Sequence, residues 1–241
     1  RGKTLSKDLE TTLKEIKTLL EKGYQEIVLT GIHTGRYGLD LNTNFAHLLQ
    51  EIVKLKGLAR LRISSIEVTE LTDEVIEVIK NNNVIVDHLH IPLQAGSAHI
   101  LKEMNRPYDL KYFKDKIKTL RSIRKDIAIT TDVIVGFPKE SDLDFEETLK
   151  TVEELAFAKI HVFPYSKRKG TKAALLEGQI DSSKKKARAL QLIKKSKELE
   201  QKYANKFINH VVSVLIETTK ENISMGHTSN YLLVKINKKL T

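Results

Sequence analysis

Apolar positions along the first 165 residues alternate between two periodicities. Leu9, Leu13 and Ile16 recur at helical spacing, and a short apolar run follows them after Gly23. This helix–strand unit occurs five times, which predicts an α/β fold of parallel strands joined by right-handed crossovers. The predicted strands are EIVLTG, RLRISSI, VIVDHLHIPL, IAITTDVIVGF and AKIHVFPY. A complete eightfold barrel usually needs about 250 residues, so we expect a partial barrel, with an open doubly wound sheet as the alternative.

The pattern changes after the fifth unit. Residues 182–206 predict a long basic helix with Ser182 or Ser183 as its N-cap. Strand alternation with polar turns in residues 207–241 predicts a small antiparallel module that is too short for a closed barrel. We therefore expect a partial barrel over 1–181, a connecting helix and a truncated β module. The chain starts inside a helix unit, so we also expect a barrel without its first strand and with an exposed edge.

Positive charge is concentrated in the last third of the chain. Residues 167–241 contain 17 Lys and Arg against 6 Asp and Glu, whereas the whole chain carries a net charge of +10. A field of one sign on one module is typical of a protein that binds a polyanion such as RNA. The alternative is a solvated, lysine-rich helix face.

Composition excludes several classes of site. No run approaches the roughly 18 apolar residues of a membrane helix, and the N-terminus shows no signal sequence. The chain has no cysteine, so disulfides and cysteine-ligated metals are excluded. We expect a cytoplasmic protein with no membrane partner and no metal site of its own.

Polar clusters follow every predicted strand. Ligands of parallel β/α folds bind at the C-terminal ends of the strands, so these clusters are the candidate binding site. They are GIHTGRYG (31–38), SSIE (64–67), HIPLQAGS (90–97), TTDVIVGFPKE (130–140) and FPYSKRKGT (163–171).

Each candidate residue also has a purely structural interpretation. Gly31 can let the backbone approach a ligand or can form an ordinary turn. Ser65 and Glu67 can bind an amino-acid moiety, or can cap the helix TDEVIEV, a role that Thr69 or Thr72 could supply instead. Gln94 can bind hydroxyl groups, or its turn can merely lead to an N-cap at Ser97. Arg106 can clamp a carboxylate or satisfy helix carbonyls.

Acidic residues and histidines near the strands give no catalytic assignment. Asp132 lies in an apolar strand and needs a buried partner or a cavity, and Glu140 follows the next turn. His88 and His90 share a strand face but lack a third ligand, so we interpret them as hydrogen-bonded residues. No nucleophile–base pair and no phosphate-binding loop is present, and the catalytic residues stay unknown.

Three segments and the tail resemble one enzyme family in the same order. DVIVGFPKE (132–140), HIPLQAGSAHILKEMNRPY (90–108) and HVFPYSKRKGT (161–171) look like barrel strands of radical S-adenosylmethionine (SAM) methylthiotransferases. EIVLTGIHTGRYG is similar to the type that acts on threonylcarbamoyladenosine in tRNA. The strands after residue 210 look like the start of a TRAM domain, a small RNA-binding module. The resemblance covers roughly residues 1–236.

The resemblance implies a cofactor and a substrate. It implies that SAM is bound by Gly31, Ser65, Glu67, Gln94, Arg106 and Gly136, with Phe163 and Tyr165 near its adenine. In the family, a 4Fe–4S cluster donates one electron and cleaves SAM to a 5′-deoxyadenosyl radical. That radical removes hydrogen from C2 of an adenosine beside the anticodon, and sulfur and a methyl group are then delivered. The implied partner is therefore the tRNA anticodon stem-loop, while the sulfur donor is unknown.

One departure limits the resemblance. Iron–sulfur clusters need thiolate ligands, which this chain lacks, and RGKTLSK resembles the segment that directly follows the family's cysteine loop. We therefore expect a methylthiotransferase fragment that is inactive alone. The alternatives are an RNA-binding protein without a cluster, and an enzyme family member acting on a different tRNA adenosine or on a ribosomal protein. A metal-independent enzyme that uses Asp132, Glu140 or a histidine as a base is a further alternative.

Overall fold

The structure is a computed structural model, and it describes residues 5–240. The first four residues of RGKTLSK lie outside this range. The helices are α1 (Leu9–Glu21), α2 (Phe45–Ile52), α3 (Asp73–Asn81), α4 (Ala98–Glu103), α5 (Leu110–Ile123), α6 (Asp142–Glu154) and α7 (Ser182–Asn205). The strands are β1 (Glu26–Leu29), β2 (Arg60–Ile63), β3 (His88–His90), β4 (Ala128–Val135), β5 (Lys159–Pro164), β6 (Val214–Lys220), β7 (Ile223–Thr228) and β8 (Leu233–Ile236).

The chain divides into two compact units. The first unit contains Arg1–His90, Leu120–Ile127 and Val212–Thr241, and the second contains Ile91–Thr119 and Ala128–Val211. The C-terminal strands thus cluster with the first ninety residues. The functional boundaries at residues 181 and 206 stay a prediction.

In the first unit, β1 and β2 form a parallel pair with Glu26 opposite Arg60. All four residues of β2 are buried, as expected of a strand covered on both faces. A further parallel bridge joins Ser65 to His90. Within the described residues β1 pairs with β2 alone, and Val28 is 46% exposed. The sequence prediction of an exposed strand edge agrees with this arrangement.

In the second unit, β4 and β5 are also parallel, and α7 packs on β5. The Ser196 hydroxyl accepts the Ile160 N–H at 3.0 Å and donates to its carbonyl at 3.2 Å. Leu192, Leu199 and Tyr203 are buried and form the apolar side of α7, as predicted. The parallel α/β class is confirmed.

The C-terminal strands β6, β7 and β8 form an antiparallel sheet in the first unit, which confirms a small antiparallel element. The Arg60 guanidinium donates to the carbonyl of His227 at 2.8 Å. The ring of Tyr231 stacks on His88 and on His227, at centroid distances of 4.9 and 4.5 Å. Arg62 lies over the same ring at 4.6 Å. His88 is therefore a packing residue of this unit.

Two predicted caps are confirmed and one is wrong. Thr72 and Ser97 cap α3 and α4 through their hydroxyls. The cap of α7 is Asp181 rather than Ser182 or Ser183, because its carboxylate accepts the Lys184 N–H at 2.9 Å. Ionised aspartate is a strong hydrogen-bond acceptor at a helix N-terminus, where its negative charge also interacts favourably with the helix dipole. No helix in residues 5–240 has the length and apolarity needed to cross a membrane.

Candidate functional site

The loop after β1 is held by a buried carboxylate. Glu70 accepts the N–H of Gly35 at 3.2 Å and the N–H of Glu67 at 3.3 Å. Its other oxygen lies 3.1 Å from Nδ1 of His33. His33 has a φ of +55°, and a Cβ on Gly35 would overlap Glu70. The GIHTG loop is thus fixed by a residue on the short helix Val68–Glu70, which follows β2.

Gly31 opens the same loop and is exposed. It lines a cavity of about 460 Å³ in the first unit, together with residues of α1 and β1. Thr34 and Tyr37 also line it, and each has a buried hydroxyl with no hydrogen-bond partner among the described residues. Burial raises the pKa of Tyr37, and the nearby carboxylates of Asp8 and Asp40 raise it further. This cavity can therefore accept a ligand with hydrogen-bonding groups.

Ser65 and Glu67 lie at the end of β2 in the first unit. Ser65 bridges to His90, and Glu67 is the N-cap residue of the short helix Val68–Glu70. The side chains of Glu67 and Glu70 form a reciprocal capping box. Both predicted residues therefore lie at a strand end. Glu67 caps the short helix Val68–Glu70, whereas the cap of α3 is Thr72.

Gln94 is fixed by its backbone in the second unit. Its N–H donates to Asp132 O and its carbonyl accepts Ile134 N–H, both at 2.8 Å. Its φ of +68° is unusual for a residue other than glycine. Strained backbone of this kind occurs at binding sites when the surrounding structure enforces it. The two bonds to β4 supply that constraint.

The turn after β4 contains a second buried carboxylate. Gly136 has a φ of +72°, and its N–H donates to Glu140 Oε2 at 2.6 Å. Arg188 on α7 donates to the same oxygen at 2.5 Å, to the Glu140 carbonyl at 3.1 Å and to Asp142 at 2.7 Å. Burial raises the pKa of Glu140, while the Gly136 N–H and Arg188 act in the opposite direction. The turn is thus organised around a buried ion pair.

Phe163 lies near the C-terminal end of β5, and Tyr165 follows that strand beside the Gly136 turn. The Tyr165 N–H donates to Val135 O at 2.8 Å, and its ring meets Phe137 edge-on at 5.2 Å. The ammonium of Lys185 lies 5.2 Å from the centre of the Tyr165 ring. The Tyr165 hydroxyl is buried without a hydrogen-bond partner among the described residues. Phe163 is 51% exposed, so an aromatic surface is open for contact at this strand end.

Arg106 follows α4 in the second unit. Its backbone N–H donates to Leu101 O at 3.0 Å and so closes the end of the helix. The structure thus brings Gly136 and Tyr165 together at the ends of β4 and β5, whereas Arg106 lies on a separate segment after α4.

Asp144 organises a neighbouring cluster of helix caps. It accepts hydrogen bonds from Ser97 and Ser141 at 2.6 Å each, and it lies 3.1 Å from His99 Nδ1. Burial raises the pKa of Asp144, but the hydrogen bonds from Ser141 and Ser97 outweigh it and lower this pKa to about 2. The carboxylate is fully engaged in joining the caps of α4 and α6, so its role here is structural.

The residues of this chain fit SAM but do not fit an iron–sulfur cluster. The Gly136 turn lies beside Tyr165, whose buried hydroxyl has no hydrogen-bond partner among the described residues, so this strand end offers hydrogen bonding to a nucleoside such as that of SAM. An iron–sulfur cluster does not fit, because the chain has no thiolate ligand. In residues 5–240, no group of three or more acidic or histidine side chains can hold a metal ion.

Sequence reasoning missed two residues that shape these strand ends. Glu70 lies in a helical turn with no local sign that it reaches the Gly35 amide. Arg188 belongs to a basic helix whose charges the sequence interpretation placed on the surface, yet its side chain is only 4% exposed. The separation of 48 residues between Arg188 and Glu140 leaves no local signal for their pairing.

Comparison with known proteins identifies the family. Residues 1–152 match the model of the radical SAM superfamily. The chain is 46% identical to threonylcarbamoyladenosine tRNA methylthiotransferase MtaB of Bacillus subtilis, over 97% of this chain and 53% of that protein. It is 39% identical to tRNA-2-methylthio-N(6)-dimethylallyladenosine synthase of Thermodesulfovibrio yellowstonii, over 98% of this chain and 55% of that protein. The chain spans about half the length of these curated relatives.

Solved structures show the same fold at low sequence identity. Coproporphyrinogen III oxidase (HemN) of Escherichia coli, a radical SAM enzyme, superimposes with a TM-score of 0.53 at 17% identity, covering 79% of this chain and 46% of that one. The radical SAM methyltransferase TsrM of Kitasatospora setae gives 0.54 at 14% identity, covering 66% and 31%. The chain therefore belongs to the radical SAM superfamily.

Proposed function

We propose that this chain is the SAM-binding part of an enzyme that methylthiolates C2 of threonylcarbamoyladenosine beside the tRNA anticodon. The observation that carries the proposal is the 46% identity to the threonylcarbamoyladenosine enzyme across 97% of this chain. Identity to a dimethylallyladenosine enzyme is lower, at 39%. A cytoplasmic location goes with this proposal, because its substrate is tRNA.

The proposed SAM contacts lie at the strand ends of each unit. In the second unit they are Gln94, Arg106, Gly136, Phe163 and Tyr165. Gly136 has no side chain of its own, which suits a backbone contact with the cofactor, and the exposed Phe163 ring suits an adenine. A guanidinium such as that of Arg106 suits the methionine carboxylate.

In the first unit the proposed SAM contacts are Gly31, Ser65 and Glu67. A carboxylate such as that of Glu67 suits the methionine ammonium group, and a hydroxyl such as that of Ser65 suits the carboxylate beside it. Glu70 holds the loop that follows Gly31 and so fixes the backbone of this strand end.

SAM supplies radical chemistry in this family when a cluster reduces it, and the ligands of such a cluster are not in this chain. The task of this chain's own residues is to bind and orient. Glu140 and Arg188 hold the Gly136 turn, and Tyr165 places its ring and hydroxyl beside that turn. Fixed backbone and fixed rings limit the positions that a bound nucleoside can take.

The proposed RNA contacts come from the basic segment. Residues 167–206 contain 13 Lys and Arg against 4 Asp and Glu, so the surplus lies mainly before the C-terminal strands. Lys167, Arg168 and Lys169 are exposed directly after Tyr165, and Lys186 and Lys194 are exposed on α7. Exposed cations bind phosphates with a steep dependence on salt. We propose the anticodon stem-loop as the RNA that they contact.

A chimera tests the nucleoside assignment. The matching segment of the Bacillus subtilis relative is replaced by this chain and expressed in a host strain that lacks its own methylthiotransferases. Mass spectrometry of digested tRNA is expected to show 2-methylthio-threonylcarbamoyladenosine. The matched control carries the same segment from the Thermodesulfovibrio yellowstonii relative.

Two outcomes of this experiment contradict the proposal. The first is a chimera that cleaves SAM but modifies dimethylallyladenosine instead. The second is a chimera that folds and binds tRNA but adds no methylthio group, while the parent enzyme does so in the same strain.

A further inference from the structure

The Gly136 turn depends on a helix that begins 46 residues after it in the sequence. Glu140 accepts the Gly136 N–H with one carboxylate oxygen, and Arg188 of α7 donates to that same oxygen. Arg188 also donates to the carbonyl of Glu140 and to Asp142, so one guanidinium spans three oxygens of residues 140–142. The Glu140 side chain is 1% exposed and that of Arg188 is 4% exposed.

A buried carboxylate needs a compensating charge. An ionised group without a partner in such a place is strongly unfavourable and takes up a proton instead. Protonation of Glu140 weakens its hydrogen bond from the Gly136 N–H, because a neutral carboxyl is a poorer acceptor than a carboxylate. Asp144 adds negative charge near Glu140, which increases the need for Arg188.

We propose that Arg188 is a positioning residue for SAM: by neutralising Glu140 it holds the Gly136 turn in the conformation that binds the cofactor. This inference rests on the proposed function for the identity of the ligand. It gives α7 a role in the cofactor site in addition to its basic surface.

The remaining contacts of α7 separate this role from simple folding. Leu192, Leu199 and Tyr203 are buried, and Ser196 is bonded to Ile160 in both directions. These contacts lie one or more turns beyond Arg188, so they hold α7 on β5 without it. Replacement of Arg188 is therefore expected to act on residues 136–142 first.

The experiment uses the full chain, and its control is a second arginine. Arg188→Gln, Arg188→Lys and the double variant Arg188→Gln with Glu140→Gln are compared with Arg124→Gln. Arg124 is a matched residue, because it donates to Asp87 and to the carbonyls of Ile79 and Asn82. Calorimetric titration with SAM gives the affinity, and hydrogen exchange by mass spectrometry follows residues 133–141.

The expected result has three parts. Arg188→Gln speeds exchange in residues 133–141 and weakens SAM binding by about tenfold or more. The double variant recovers part of that affinity, because an amide at position 140 needs no counter-charge to stay buried and its oxygen can still accept the Gly136 N–H. Arg188→Lys keeps the charge but cannot span all three oxygens, so its affinity is expected to lie between those of Arg188→Gln and the parent chain. Arg124→Gln lowers the melting temperature without changing either readout.

Two results overturn the inference: unchanged exchange in residues 133–141 of Arg188→Gln, or a double variant no better than Arg188→Gln. If the parent chain does not bind SAM, the SAM assignment of the proposed function fails. Exchange then decides the positioning role alone, with faster exchange in Arg188→Gln and recovery in the double variant supporting it.

Discussion

The loop after β1 and the turn after β4 use the same device with different partners. In each, a buried glutamate accepts a glycine amide at a strand end, Glu70 from Gly35 and Glu140 from Gly136. Glu70 lies beside the imidazole of His33, which is 40% exposed, whereas Glu140 pairs with a buried guanidinium. The Gly35 loop is thus held by a glutamate that follows the next strand, whereas the Gly136 turn is held by its own glutamate, whose counter-charge comes from a distant helix.

Breaking the ion pair between Glu140 and Arg188 is expected to cause the largest loss of folding stability. Arg188→Met leaves Glu140 buried without a counter-charge, so we expect a loss of about 3–5 kcal/mol in the free energy of unfolding at pH 7. Urea unfolding followed by circular dichroism measures this loss. A loss below 1 kcal/mol would show that Glu140 is not stabilised by Arg188.

Replacement of Gly136 by alanine is expected to cost more folding stability than replacement of Gly35. Gly136→Ala places a Cβ at a φ of +72° and against Lys185, so we expect a loss of about 2–4 kcal/mol. Gly35→Ala meets Glu70 but has no positive φ, so we expect a smaller loss of about 1–3 kcal/mol. Parallel denaturation of the two variants checks the order, and a reversed order contradicts the comparison.

Asp144 provides a third buried carboxylate for this comparison, because serine hydroxyls rather than an arginine stabilise its charge. Its folded pKa of about 2 lies below the ordinary aspartate value of 3.8, so its ionised form stabilises the fold above pH 4. That contribution is lost as the pH falls through 2 and amounts to about 2 kcal/mol. We expect the stability gap between the parent chain and Asp144→Asn to shrink between pH 5 and pH 2. A constant gap in urea unfolding would contradict this.

His33 is expected to give the smallest effect. Its ring is partly exposed, so solvent screens its interaction with Glu70. We expect His33→Gln to lower the free energy of unfolding by about 0.5 kcal/mol or less, with Arg188→Met as the contrasting variant. A loss as large as that of Arg188→Met would remove the distinction between the two strand ends.

Sequence periodicity was sufficient to predict the elements that make local contacts. β1 to β5 and the apolar side of α7 follow from spacing, and the caps at Thr72 and Ser97 follow from residue type next to a helix. The α7 cap was wrong because Asp181 and the serines after it are all good cap residues, and only geometry selects among them.

The candidate site was less predictable, because its supports come from distant segments. Polar strand ends indicated where a ligand binds, but nothing near Gly136 in the sequence indicates Arg188. A lysine-rich helix predicts a solvated surface, and only the packing of α7 shows that one of its cations is buried. Tertiary contacts of this kind have no periodic signature.

The most direct test of the account is a calorimetric titration of this chain with SAM, beside the variant Tyr165→Phe. Tyr165→Phe removes the buried hydroxyl and keeps the ring next to Phe137. We expect the chain to bind SAM saturably and one-to-one without a cluster, and we expect Tyr165→Phe to weaken this affinity about threefold to tenfold. Absence of binding, or equal affinity in the two proteins, would contradict the assignment of this strand end to the cofactor.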